Sequence, residues 1–478
     1  MLTAFAAPRI AACLLTSCVL WSHASAASPA SESPTPTEIL IPPIVTAAAP
    51  RPGVDALPAI SELPDVLVFN DGTKVTTAEQ WRARREELKR TLAYYATGQM
   101  PPAPGNVSGR TVSTEVVADG HVTYRLVHLT FGPDASLALD LGIFTPSEGG
   151  PFPAIILQSS PPPGATLLPR LPPGPNQGKG VNVLTVVGPE PNTSAAAVVP
   201  TVPPGGFSAQ ATAAALATRY AEVFRRGYAL VVMNPNDCAE DTTLRELDGS
   251  WSFRRTRFFP AYPGYDWGIL AAWAWGVSRV ADYLETDAAI DHAKLITVTG
   301  ASRYGKSALI AAAFDERLLG APVVTGGGGI GAYRLAGPRR SETLDLMVTK
   351  YPNWFGPQLH AFRGQREKLP FDQHWFLALC APRPFLALEG DTDTISLPAA
   401  VQASFRGAEP AYALLGTSGK LGVHYSHHGH AFDAEDWTAL LNFTDLHLLG
   451  KRDFTFDWFP TDADLDAAAA KTKLNHSR

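Results

Sequence analysis

One stretch constrains this chain more than any other. It runs Leu295-Ile296-Thr297-Val298-Thr299-Gly300-Ala301-Ser302-Arg303-Tyr304-Gly305-Lys306-Ser307-Ala308-Leu309-Ile310. The β-branched run reads as a strand and the Ala/Leu run as a helix, with a glycine-bounded turn between them. Two chemistries compete for that turn. In the first, a serine between glycines is pushed out of the sheet at a sharp strand-to-helix elbow, beside a helix N-terminus that favours negative charge. The usual spacing is G-x-S-x-G, and here the second glycine comes one residue late, at Gly305. In the second, Gly300 to Ser307 fits the phosphate-loop pattern G-x-x-x-x-G-K-[ST] letter for letter.

The rest of the chain decides between them. At 478 residues it can hold one large α/β domain with insertions. Its formal charge is −6, and no Lys/Arg run stands out, so neither nucleic acid nor an anionic membrane is an expected partner. Residues 1–26 have the form of a secretory signal: Arg9, a short apolar core from Ile10 to Trp21, and the small residues Ala24-Ser25-Ala26. Leu15-Thr16-Ser17-Cys18 is an alternative lipoprotein box, ranked second because the apolar run continues past Cys18. The expected location is therefore secreted or periplasmic. Residues 27–60, rich in Ala, Pro, Ser and Thr, read as a disordered tether or a wrap along the surface. Two cysteines then remain, Cys238 and Cys380, either paired or as two isolated buried thiols.

The expected catalytic domain spans 61–455, followed by a tail at 456–478. A helix is expected over Thr76–Thr97, then antiparallel strands between Val107 and Phe144 with turns at Asp119-Gly120 and Gly132-Pro133. Residues 158–206, dense in Pro, Gly and Ser, read as a long insertion. After them helix and strand alternate. Helices are expected at Ala209–Arg225, Trp267–Glu285 (opened by Asp266), Ser307–Leu318 and Asp433–Leu449. Strands are expected at Phe152–Leu157, Tyr228–Met233, Leu295–Thr299, Ala321–Thr325, Pro384–Leu388 and Ala411–Leu415. Such alternation implies crossover units. The fold class is α/β, a three-layer sandwich with a mostly parallel central sheet and N-terminal antiparallel strands.

An elbow serine needs an acid and then a histidine further along the chain. Both are present. Glu389-Gly390-Asp391-Thr392-Asp393 follows a strand, and His424-Tyr425-Ser426-His427-His428-Gly429-His430 precedes the last helix. His430, on a loop at an element end, is placed to serve as a general base for Ser302, with a carboxylate fixing its tautomer. The acid must follow a strand and precede His430, which gives Asp391 or Asp393. A bound metal is not expected, since no H-E-x-x-H spacing appears. The phosphate loop fares worse: Val323-Val324-Thr325 runs into four glycines with no acid for magnesium, and an exported chain meets little ATP. No nucleotide or cofactor is expected.

The chain resembles the glucuronoyl esterases, carbohydrate esterases of the α/β-hydrolase superfamily. Their elbow reads G-C-S-R-x-G-K, and this one reads Gly300-Ala301-Ser302-Arg303-Tyr304-Gly305-Lys306. The resemblance continues in Tyr265-Asp266-Trp267-Gly268, Phe314-Asp315-Glu316-Arg317, Tyr351-Pro352-Asn353-Trp354-Phe355 and Asp372-Gln373-His374-Trp375. It ends with Ala381-Pro382-Arg383-Pro384 and with Gly429-His430 before Asp436-Trp437. It implies Ser302 as nucleophile, His430 as base, Arg303 as oxyanion stabiliser and Lys306 as a binder of sugar hydroxyls. It also absorbs the phosphate-loop letters, since Lys306 belongs to the esterase pattern. The implied substrate is an ester of 4-O-methyl-glucuronate on glucuronoxylan, or a lignin–carbohydrate ester, and a monomer is expected. An acetylxylan-type esterase and a catalytically degenerate polysaccharide binder are the alternatives. Four positions depart from the family pattern. Val324 stands where many members carry the acid, Ile395 lies near the usual sugar-stacking Trp, Leu397 stands where an Asp is common, and Ala301 replaces the elbow cysteine. Other members carry the acid after the next strand, which here gives Asp393 ahead of Asp391, because Asp393 lies nearer the residues that match the family's substrate loop and Asp391 can be a turn residue after Gly390.

Overall fold

The computed structural model describes residues 51–165, 183–185, 208–245, 251–253, 255–335 and 342–451. All of them lie within one unit, Ile39–Arg478. The expected signal segment 1–26, the lipoprotein box and the tail 456–478 lie outside the described residues, as does most of the 158–206 insertion. The last ten residues of the expected tether, 51–60, lie on the domain. The Pro52 carbonyl accepts from Tyr95 Oη at 2.7 Å, and Ile60 N donates to Glu367 O at 2.7 Å.

Twelve strands are described. In chain order they are β1 (Ser108–Val117), β2 (Val122–Phe131), β3 (Leu137–Pro146), β4 (Ala154–Gln158), β5 (Val183–Thr185) and β6 (Ala229–Met233), then β7 (Thr242–Arg245), β8 (Trp251–Phe253), β9 (Ile296–Ala301), β10 (Leu318–Val323), β11 (Phe385–Gly390) and β12 (Leu421–Ser426). Nine form one sheet in the order β1-β2-β3-β6-β4-β9-β10-β11-β12, and β5, β7 and β8 form a second, small antiparallel sheet. β1, β2, β3 and β6 pair antiparallel, while β6-β4-β9-β10-β11-β12 are all parallel. The expected mostly parallel sheet with antiparallel N-terminal strands is the observed one.

Parallel strands such as β4 and β6 read as nearly unbroken apolar runs because both sheet faces are covered. In β4, Ala154 and Ile156 enter one core while Ile155 and Leu157 enter the other. The first core takes the helices Ala78–Leu92, Ile269–Leu284, Arg303–Phe314 and His374–Cys380. The second takes Ala209–Arg219, Ala221–Arg225 and Ala434–Leu449. The chain leaves β4 toward the helices of one face and leaves β9 toward the other. The carboxyl ends of β4 and β9 therefore border a crevice at a switch in strand order, where ligands of open α/β sheets bind.

Several element boundaries differ from expectation. The strand expected at Ala411–Leu415 is the end of a helix, Pro398–Leu414, and the last strand is instead Leu421–Ser426. Ala400, Val401, Phe405, Ala408, Ala411 and Tyr412 are buried along that helix at three- and four-residue spacing, and Pro410 sits inside it without ending it. The elbow helix begins at Arg303 rather than Ser307, and β10 begins at Leu318 rather than Ala321. Asp266 does not cap the helix after it. That helix opens at Gly268, and Asp266 Oδ1 accepts from Gln99 N at 2.8 Å. Cys238 and Cys380 are separate buried thiols.

Candidate active site

Ser302 lies between β9 and the elbow helix at φ 58°, ψ −122°. A side chain occupies that left-handed region only where its surroundings hold it there. Ser302 N donates to Val323 O on the neighbouring strand at 2.9 Å, and Ser302 O accepts from Lys306 N at 3.0 Å. The glycine spacing has a packing reason. A Cβ on Gly305 would stand 2.8 Å from Gly300 O and 2.9 Å from Val323 O. The late glycine therefore lets the first helical turn lie directly on two strand ends.

The ladder places the other residues on the same edge. Ala301 pairs with Val323, Val323 with Leu388, and Leu388 with His424. The loops after β11 and β12 consequently leave the sheet on the edge where Ser302 stands. Gly390 lets them meet, since a Cβ there would stand 2.3 Å from His428 O and 2.5 Å from Gly429 O. His430 Nδ1 lies 2.8 Å from Asp393 Oδ2. Asp393 is buried, and its other oxygen accepts from Ile395 N at 2.8 Å. Both carboxylate oxygens are thus occupied in a way that fixes their direction, and the imidazole proton is assigned to Nδ1 by its partner. Asp391 is bonded elsewhere, to His427 Nδ1 at 2.9 Å, on an exposed histidine.

The His430 loop is strapped down by a second histidine. His428 Nε2 lies 3.0 Å from the buried Asp436 Oδ2, and its Nδ1 lies 2.8 Å from Gly429 O. The hydrogen bond to Asp436 is the largest cause that pushes the His428 imidazole up to about 9. Asp436 also accepts from Ser426 Oγ at 3.0 Å and from the N–H of Asp433, the N-cap of the helix Ala434–Leu449, at 3.0 Å. His428, Asp433 and Asp436 have metal-like proximity, but these bonds already engage both His428 nitrogens and both Asp436 oxygens.

On the other side of Ser302, Arg303 Nη1 donates to Asp241 Oδ2 at 2.7 Å. Asp241 Oδ1 accepts from Trp354 Nε1 at 2.9 Å, and the Arg303 guanidinium lies 5.3 Å from the Trp354 ring centre. Lys306 lies beneath. Its side chain is 0% exposed, and its ammonium donates to Thr325 O and, at 2.8 Å, to Glu342 Oε2. Glu342 is the more exposed of the pair, and Lys306, its ammonium turned to the protein's own oxygens, is not placed to bind sugar hydroxyls as the resemblance implied.

Val324 is buried at φ 40°, a rare conformation for a β-branched residue. Beside it, Glu389 is 1% exposed. Ser396 Oγ donates to Glu389 Oε2 at 2.7 Å, while Thr325 Oγ1 lies 3.4 Å from Oε1. Burial pushes the Glu389 carboxyl up to about 8, against the hydrogen bond from Ser396 and with the help of Asp393.

Strand order and elbow define an α/β hydrolase, and comparison with known proteins narrows the class. A family model described as "Glucuronyl esterase, fungi" matches residues 192–416. A prokaryotic protein named carbohydrate esterase MZ0003 is 29% identical over 415 residues, covering 81% of this chain and 90% of its own length. A 4-O-methyl-glucuronoyl methylesterase of Neurospora crassa is 27% identical over 408 residues, covering 82% of this chain and 83% of its own. Among solved structures, a promiscuous CE15 esterase from a marine bacterial metagenome aligns with a TM-score of 0.63 and 27% identity, covering 83% of this chain and 99% of that one. A CE15 glucuronoyl esterase from Caldicellulosiruptor kristjansonii aligns with a TM-score of 0.60 and 27% identity, covering 86% and 98%. This chain is a relative of the glucuronoyl esterases and a carboxylic ester hydrolase.

Several residues at this site carry no motif. Asp241 lies 61 positions before the elbow serine, in a turn-rich segment whose letters point to no role. Glu389 reads from sequence as one more acid in the Glu389–Asp393 run. Its position inside β11 is the only available signal that it is buried. His428 is masked by its neighbours His427 and His430.

Proposed function

We propose that the chain hydrolyses an ester of 4-O-methyl-glucuronate, such as a lignin–carbohydrate ester on glucuronoxylan, outside the cytosol and as a monomer. The observation that carries the reading is the His430–Asp393 pair, 2.8 Å apart, on the sheet edge that holds the strained Ser302. Relatives named 4-O-methyl-glucuronoyl methylesterase support the uronate as the acyl half.

Ser302 Oγ attacks the ester carbonyl while His430 Nε2 accepts its proton. Asp393 holds the Nδ1 proton and stabilises the imidazolium that forms. Negative charge on the carbonyl oxygen develops near the N-terminus of the elbow helix, where the Arg303 N–H and guanidinium supply fixed positive charge. Asp241 and Trp354 hold that guanidinium in one orientation. His430 returns its proton to the leaving alcohol. Water then repeats the cycle in reverse and releases the uronic acid. Glu342, the more exposed member of the Lys306–Glu342 pair, meets the sugar hydroxyls, and the buried Lys306 holds it in place.

The test is turnover by the full chain of benzyl glucuronate beside acetylated xylan at pH 7, with Ser302→Ala as control. The reading expects benzyl alcohol release that the control lacks. Release of acetate alone makes the chain an acetylxylan-type esterase. Binding of xylan with neither product makes it a binder.

A further inference from the structure

Glu389 is a buried titratable group that the reaction above leaves unused. It stands in β11 four residues before Asp393, the proposed partner of His430. Its two oxygens reach in different directions. Oε2 accepts from Ser396 Oγ at 2.7 Å, on the loop that carries Asp393. Oε1 faces Thr325, with Oγ1 at 3.4 Å and N at 3.5 Å, just past the end of β10. Thr325 is itself anchored, because its Oγ1 accepts from Ile330 N at 2.9 Å and its carbonyl accepts from Lys306. The carboxyl is therefore a brace between two loops at the edge of the sheet. One of those loops sets the direction of the Asp393 carboxylate.

We propose that Glu389 is a positioning residue for hydrolysis: it ties Ser396 to Thr325 and thereby holds the acid loop so that Asp393 faces His430. This rests on the assignment of Ser302, His430 and Asp393 made above.

The titratable and charged groups that face Glu389 are Asp393 from its own loop, Tyr425 from β12, and Lys306 through the Thr325 carbonyl. The buried Tyr425 hydroxyl is pushed well up by desolvation and stays neutral over the working range. Lys306 is already matched by Glu342 at 2.8 Å. Nothing among these neutralises a charge on Glu389. With its carboxyl pushed up to about 8, Glu389 is neutral at pH 7. Above that pH a second buried anion forms beside Asp393, and like charges in a dry site repel strongly. The brace then opens, and kcat falls with it.

The experiment compares kcat and KM for benzyl glucuronate from pH 5 to 10 in the full chain, Glu389→Gln, Glu389→Ala and Ser396→Ala, with spontaneous hydrolysis subtracted and Ser302→Ala as control. Glutamine keeps the shape, with its oxygen accepting from Ser396 Oγ and its amide N–H donating to Thr325 Oγ1, but it cannot ionise. It is expected to rescue kcat at pH 7 to within about threefold, and to move the alkaline fall upward from about 8. Glu389→Ala and Ser396→Ala are expected to lower kcat about tenfold or more at pH 7 with KM within about twofold. Superimposable pH profiles for the full chain and Glu389→Gln would overturn the proposal, as would a Ser396→Ala enzyme with unchanged kcat. If Glu389→Ala does not fold, the other two variants still decide. If Ser302→Ala retains activity, the assignment beneath the proposal fails and the proposal fails with it. If Ser302→Ala is inert and the profiles coincide, only the role of Glu389 fails.

Discussion

At the scale of single residues, two carboxylates two positions apart have different partners. Asp393 is buried against His430, and Asp391 is bonded to the exposed His427. Asp393→Asn is therefore expected to cost about 10⁴-fold in kcat, the cost of losing the group that fixes a catalytic tautomer. Asp391→Asn is expected to stay within a few-fold, and steady-state kinetics on folded protein checks both. The order of acid and histidine along the chain was legible in sequence, while the preference for Asp393 over Asp391 rested on the family resemblance. The pairing was not, because it depends on how two loops cross above Gly390. Glu389 also has a stability signature. Its carboxyl pKa is raised from 4.5 to about 8 on folding, so its contribution is fully present below about 4.5 and is lost as pH rises to about 8. Glu389→Gln removes that loss. It is expected to raise the melting temperature at pH 8 by several degrees and to change it little at pH 4, as thermal unfolding at the two pH values will show.

At the scale of elements, the elbow is held by backbone contact rather than by side chains. Gly305→Ala would drive a methyl group into Gly300 O and Val323 O. It is expected to destabilise the fold by about 1–3 kcal/mol in denaturant titration, the cost of overpacking at a fixed contact. The strap between the His430 loop and the last helix behaves differently. His428 is raised from 6.5 to about 9 mainly by its bond to Asp436. Its contribution is fully present below pH 6.5 and is lost as pH rises through about 9. A melting series from pH 6 to 10 should show a steeper fall for the natural chain than for His428→Asn. Which elements could be read in advance follows from their signals. Five of the six parallel strands were legible as apolar or β-branched runs, all but β12, and the elbow as a strand, glycines and an Ala-rich helix. The helix Pro398–Leu414 was not, because Pro410 obscured its periodicity and left Ala411–Leu415 looking like a short strand.

At the scale of the whole molecule, the phosphate-loop pattern and the esterase pattern share the same letters, and the fold separates them. The segment is strand to Ala301 and helix from Arg303, so only Ser302 lies between and no loop of free amides remains to cradle phosphates. The lysine of the pattern is paired with Glu342 inside the protein. No calorimetric signal is therefore expected for ATP or GTP with magnesium at millimolar concentration, and a clear signal lost in Lys306→Ala would contradict this. Among the described residues no helix is long and apolar enough to cross a membrane. The central claim is that the chain cleaves esters through Ser302, and covalent trapping tests it most directly. The full chain is treated with a fluorophosphonate and its peptides are mapped by mass spectrometry. The account predicts one adduct, on Ser302, formed in step with loss of benzyl glucuronate turnover and slowed when that ester is present. An adduct on another serine, or full turnover after Ser302 is blocked, would contradict it.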